Sequence, residues 1–265
     1  MIITLIAAIL LGLLIGVFSG LLGVGGGTVM VPMYRLAFGM SAIASTATSL
    51  FTIIPTSISG VVTHVRNKTC LPKLGVAMGL GGACTSPLGV WLANISPSWA
   101  VMVAAALAIG YSAFNMLKGV VKISKGKAKG RQDATYELPT LSVKQLAVGF
   151  GIGLIAGVAS GYIGLGGGFL MVPLMVAWIG LPMRYASGTS LIGIMLLAIP
   201  GAVEQGILGN IDFIAGIATA VGTVPGAFIG ARFVSRVPER TLRIIFAVFL
   251  GVGAVLLVVK ELGII

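Results

Sequence analysis

The sequence predicts an all-α, polytopic integral membrane protein built as two inverted repeats of about five membrane segments each, with broken or re-entrant glycine-rich helices. Three observations point there. The 265 residues are 57% hydrophobic and only 9% charged, with a mean hydropathy of +1.12, against roughly 25% charged residues in a soluble domain. Apolar runs near the roughly 20 residues that span a bilayer recur along the chain. And one block occurs twice in a single register.

That block is SGLLGVGGGTVMVP from Ser19 and SGYIGLGGGFLMVP from Ser160, an offset of 141 residues. Without a gap the same offset pairs Gly12 with Gly153, Gly16 with Gly157, Gly39 with Gly180, and Thr48-Ser49-Leu50 with Thr189-Ser190-Leu191. Further on it pairs Gly60 with Gly201, Gly75 with Gly216, Gly81 with Gly222, Gly89 with Gly230 and Pro97 with Pro238. A fixed period held this long marks a duplicated unit. The chain therefore divides into a first transmembrane repeat over 1–117, a basic cytoplasmic linker over 118–145 and a second repeat over 146–265.

Within the first repeat the expected segments are 3–22, 28–38, 42–65, 74–93 and 99–117, and the second follows at the offset. The stretch 2–17 lacks the basic start of a secretory signal and reads as the first span. Gly25, Gly26, Gly27 and Gly166, Gly167, Gly168 break what would be continuous helices, and the segment after each tract is about half a bilayer long. Pro55, Pro87, Pro200 and Pro225 fall inside spans and kink them, for packing or for gating.

Charge orients the repeats. Arg66, Lys68 and Lys73 line the third-to-fourth connection of the first copy, whereas the second copy has Glu204 and Asp212 there. The next connection is uncharged over 94–98 in the first copy and carries Arg232, Arg236, Arg240 and Arg243 in the second. Cytoplasmic loops collect Lys and Arg, so the copies face opposite ways, with the linker inside and both termini outside. Arg35 falls on the outer side in this trace. The formal net charge of +11 is thus a topology signal, not a nucleic-acid surface, with contact to anionic lipid as an addition.

Several chemistries find no residues. Cys70 and Cys84 supply no disulfide framework, and a lone His64 leaves no metal set, so neither metal nor cofactor is expected. No carboxylate pair, Ser/His/Asp set or GK[ST] loop points to an enzyme. His64 reads as a satisfied interfacial histidine, and Glu204 as either a loop acid or a proton-coupling group.

The glycine tracts carry the functional expectation. Non-helical backbone at membrane depth survives where protein buries it or water reaches it, and in inverted-repeat transporters such breaks mark the substrate site. If the short helices begin just after the glycines, their free N–H groups over 25–28 and 166–169 make an anion site from backbone. Packing of helices through small residues is the competing reading. Nearby hydroxyls are Ser19, Ser160, Thr28, Thr46, Thr48, Ser49, Thr52, Ser187, Thr189 and Ser190. The candidate substrate residues are Gly25, Gly26, Gly27, Thr28, Thr48, Ser49, Gly166, Gly167, Gly168, Phe169, Thr189 and Ser190. Pro32 and Pro173 have structural or gating roles, each freeing a carbonyl four residues earlier, at Thr28 and Phe169.

With these two glycine blocks and the TSL triplets downstream, the sequence resembles the TauE/SafE family of sulfite exporters and related permeases over nearly its whole length. The family's motif falls on Gly23, Gly25, Gly26, Gly27 and Pro32, and on Gly164, Gly166, Gly167, Gly168 and Pro173. The resemblance implies transport of a small sulfur-containing anion, such as sulfite, thiosulfate or an organosulfonate. The expected protein is a multi-pass permease of the inner (cytoplasmic) membrane, with the bilayer and a small anion as partners, no nucleic acid, and self-association open. A cation or metal permease and a non-transporting assembly or scaffold protein are the alternatives.

Overall fold

In a computed structural model, residues 2–124 and 141–261 are described, with side chains over 4–120 and 141–256. Among them there is helix and no strand. The first copy forms α1 (Ile2–Leu22), α2 (Gly27–Ala37), α3 (Ala42–Arg66), α4 (Pro72–Ile95) and α5 (Ser98–Ser124). The second forms α6 (Val143–Ile163), α7 (Gly168–Leu174), α8 (Met183–Ile207), α9 (Phe213–Phe233) and α10 (Glu239–Glu261). A π-helical turn, Met175–Ile179, continues α7. The linker cations Lys125, Lys127, Lys129 and Arg131, with Asp133 and Glu137, lie outside the described residues.

Seven of these helices, α1, α3, α4, α5, α6, α8 and α9, are long and apolar enough to cross a membrane. Burial is inverted relative to a soluble core. Leu107 is 69% exposed and Trp91 54%, while Thr48, Thr52, Thr56, Thr219 and Thr223 are fully buried. Hydroxyls hidden inside a ring of exposed Leu, Ile, Phe and Trp is the arrangement a hydrocarbon solvent demands.

Close backbone approach builds the seams. Along α1 and α9, a Cβ placed on Gly12, Gly16 or Gly20 would strike the backbone of Thr219, Thr223 or Ala227 in turn, so the two helices run parallel. The mate seam repeats this: Gly153, Gly157 and Gly161 of α6 abut Met78, Gly82 and Ser86 of α4. Lipid tails are as apolar as leucine, so helices in a bilayer are held by such van der Waals contact through small residues.

Hydroxyl bonds fix the next layer. Thr52 Oγ1 donates to the Gly216 carbonyl (3.4 Å), Ser59 Oγ to Val224 (2.7 Å) and Asn67 Nδ2 to Ala231 (3.3 Å), so α3 also runs parallel to α9. Likewise α4 runs parallel to α8, Gly75 facing Ile192 and Gly79 facing Leu196. At the centre the two repeat mates α3 and α8 run antiparallel, with Gly60 against Leu191 and Gly201 against Leu50.

Two ends of the bundle follow. The turn after α3 meets the end of α9 through Asn67 and Ala231, bringing Arg66 and Arg232 to one side. The α8–α9 turn meets the end of α4 on the other side, where Asn210 Nδ2 donates to Asn94 Oδ1 (3.3 Å).

Candidate functional site

Each glycine tract is a short unwound bridge between a full helix and a half-length one. Gly25 and Gly26 have φ of 83° and 84°, Gly166 and Gly167 of 79° and 72°. This left-handed backbone costs a residue with a Cβ about 1–2 kcal/mol and explains why glycine stands there. Gly26 and Gly167 are the N-caps of α2 and α7, and neither receives a side-chain cap.

The unwinding leaves donors without acceptors. Among the described residues nothing accepts from the N–H groups of Gly25, Gly26, Gly27 and Thr28, or from those of Gly166, Gly167, Gly168 and Phe169. All eight residues are buried. A helix leaves its first N–H groups free, but a buried free N–H costs about as much as a lost hydrogen bond unless something binds it. Unpartnered hydroxyls occur as well: Ser19, Thr28, Ser49 and Ser160 are fully buried, and none of their Oγ atoms has a partner among the described residues. The Ser19 Cβ lies 3.6 Å from where a Cβ on Gly26 would stand.

The two tracts meet. A Cβ on Gly27 would stand 2.7 Å from the Leu165 backbone, and one on Gly168 2.5 Å from the Gly23 carbonyl oxygen. Each tract is clasped by the third helix of the other copy: Gly23 lies against Ser187 and Ser190 of α8, Gly164 against Thr46 of α3. The sequence-predicted glycines, 141 residues apart, therefore form one cluster, and close packing and free N–H groups coexist within it.

The predicted hydroxyls separate into two kinds. Ser49 is free, but its mate Ser190 donates to the carbonyls of Gly23 (2.7 Å) and Ser187 (2.8 Å), which uses its only proton. Thr48 Oγ1 accepts from the Asp212 N–H, and Thr189 Oγ1 from the Leu71 N–H, both at 3.0 Å. These two threonines tie the starts of α9 and α4, and neither bond reaches the tracts. Phe169, the mate of Thr28, offers its backbone alone. Pro32 and Pro173 lie inside α2 and α7. The Thr28 carbonyl that Pro32 frees faces Gly253 of α10, away from the other tract.

Other candidates sit apart. His64 is fully buried, with Nε2 2.8 Å from the Gly20 carbonyl and Nδ1 2.7 Å from Thr69 Oγ1. A carbonyl only accepts, so the ring donates from Nε2. Glu204 lies near the end of α8, half-buried, with Oε2 unpartnered among the described residues. No cluster of three or more His, Cys, Asp or Glu occurs among them. A groove of about 640 Å³ between α1, α2 and α10 is lined by apolar residues such as Leu14, Phe18, Met33 and Phe249 and presents no group to hold a polar solute.

Sequence reasoning named Ser19 and Ser160 only as neighbours, although each opens its glycine block. It missed Ile53 and Ile194, repeat mates that stand against both tracts; the 141-residue register alone could have flagged them.

Comparison with known proteins supplies the wider setting. The family model described as Sulfite exporter TauE/SafE matches residues 8–257. The chain is 31% identical over 236 residues to the probable membrane transporter protein YdhB of Bacillus subtilis, covering 89% of this chain and 92% of that one. It is 29% identical over 256 residues to the probable membrane transporter protein YunE of the same organism, covering 91% and 93%. Over 138 residues it is 28% identical to the Sulfite exporter TauE/SafE family protein 3 of Arabidopsis thaliana, covering 50% of this chain and 27% of that one. No solved structure matches.

Proposed function

Since the chain belongs to the sulfite exporter TauE/SafE family, a family of membrane transport proteins, we propose that it is a permease for a small sulfur-containing anion, bound between its two glycine tracts. The observation that carries this is the set of buried, unpartnered N–H groups over 25–28 and 166–169. N–H and hydroxyl donors suit a tetrahedral or pyramidal oxyanion and need no buried lysine. Ser19, Ser49, Ser160 and Thr28 add hydroxyls, while Thr48 and Thr189 act as struts. Of the two carbonyls that a cation could use, Thr28 and Phe169, the first faces Gly253 of α10.

The repeats are inverted, each contributing five membrane segments, and substrate passes by one half rocking against the other. The antiparallel run of α3 against α8 and the parallel runs of α1 and α3 with α9 support that layout. Arg66, Lys68, Lys73, Arg232, Arg236 and Arg240 gather at one end, and this end faces the cytoplasm, in the inner membrane of a bacterial-type cell.

Thermal unfolding of the purified protein across sulfite, thiosulfate, sulfate, taurine, acetate and chloride at constant ionic strength tests the reading. A ligand at a hundred times its dissociation constant stabilises by about 2.7 kcal/mol. One sulfur oxyanion should raise the melting temperature, and Gly167→Leu should abolish that rise. Stabilisation by cations alone would refute the anion site.

A further inference from the structure

Resting on that reading, the geometry points to Ile53 and Ile194 as a paired apolar gate that covers the tract amides and sets the largest anion admitted. The two are repeat mates, fully buried, on the antiparallel helices α3 and α8. A Cβ on Gly25 would stand 3.3 Å from Cγ2 of both side chains. One on Gly166 would stand 2.9 Å from Ile53 Cδ1 and 3.4 Å from Ile194 Cγ2, and one on Gly168 2.5 Å from Ile194 Cδ1. Both isoleucines therefore touch both tracts, at the point where the two copies meet.

An anion hydrogen-bonded to the Gly25 or Gly166 amide has to share space with these methyl groups. The Cγ2 methyls that face Gly25 cannot simply swing aside, because a β-branched residue in a helix is held close to one χ1 rotamer, whereas each Cδ1 can turn about χ2. Making room beside the Cγ2 methyls therefore favours a shift of α3 or α8, which links occupancy of the site to movement of one copy against the other. Pro55, two residues beyond Ile53, removes the helical partner of the Phe51 carbonyl and gives α3 a bend point next to the gate. Its repeat mate is Leu196, and the proline of α8 stands at Pro200, further from Ile194. The gate is thus symmetric in its side chains and asymmetric in its hinges.

The size of the isoleucines should then control selectivity. Uptake of sulfite and of isethionate, a bulkier sulfonate, would be measured in proteoliposomes for wild type, Ile53→Ala, Ile194→Ala and Ile53→Val. Ile192→Ala, a buried change on the same helix facing Gly75 of α4, serves as the packing control. The isethionate-to-sulfite ratio is expected to rise about tenfold in each alanine variant, the scale on which a pocket senses a removed methylene. Ile53→Val removes one methyl, keeps the fold and should raise the ratio by a smaller factor. An unchanged ratio in both Ile53 variants and Ile194→Ala, or an equal rise in Ile192→Ala, overturns the gate. Absence of wild-type flux for both anions, together with no thermal shift from any sulfur anion, removes the permease reading and the gate with it.

Discussion

Two neighbouring hydroxyls illustrate how local partners divide binding from scaffolding. Ser49 Oγ is buried without a partner, whereas Thr48 Oγ1, the neighbouring residue, accepts the Asp212 N–H. Ser49→Ala should leave the melting temperature close to wild type, since no hydrogen bond is lost, but weaken anion affinity about tenfold, which roughly halves the stabilisation at a hundred times the wild-type dissociation constant. Thr48→Ala should do the reverse and cost about 1 kcal/mol, the usual net value of one hydrogen bond. Paired melting curves with and without the anion separate the two. Similar logic distinguishes the glycines. At Gly26 a new Cβ meets the flexible end of Met30 at 2.9 Å, so Gly26→Ala should fold at a cost of about 1–2 kcal/mol for its left-handed backbone. At Gly27 it meets Leu165 backbone, and Gly27→Ala should lower the yield of folded protein in detergent, as read by size-exclusion chromatography.

Between elements, a single carboxylate does the work of a missing cap. α8 begins at Met183 with Pro182 before it and no side-chain cap of its own. Glu239, at the start of α10, accepts the Met183 N–H with both oxygens (3.0 and 2.9 Å) and pairs with Arg243 at 2.9 Å. Charge-assisted bonds of this kind contribute about 1.5–3 kcal/mol. Glu239→Gln should therefore lower stability by up to that amount, as seen in thermal unfolding, and Arg243→Gln by less. The helices themselves were legible in the sequence, because apolar runs end at glycine, proline or charge: 42–65 became Ala42–Arg66 and 99–117 became Ser98–Ser124. The Glu239 contact was not, since it joins the starts of two helices that no periodicity relates. For the same reason the symmetric threonines Thr48 and Thr189 read as site donors, although their partners, Asp212 and Leu71, lie 164 and 118 residues away along the chain.

For the whole molecule, the register of 141 residues made the two glycine tracts visible as a pair, and the fold brings them into contact. The register also pairs Ile53 with Ile194, but that both stand against both tracts emerges only when the two copies are assembled. Orientation is open to a direct check. Cys70 is buried in the α3–α4 turn, where burial pushes its thiol pKa up, and Cys84 faces outward from α4. Neither should react with a membrane-impermeant maleimide. Arg66→Cys should be labelled only in inverted vesicles and Ser98→Cys only in intact cells; the opposite pattern would reverse the topology.

Central to the proposed function is an anion held by backbone N–H groups that the fold leaves free. Glycine-selective ¹⁵N labelling allows those amides to be watched directly as sulfite or thiosulfate is titrated into the purified protein. The resonances of Gly25, Gly26, Gly27, Gly166, Gly167 and Gly168 should move together and saturate at the concentration that saturates the thermal shift. Tract amides that stay still while glycines elsewhere respond would place the anion at another site and contradict it.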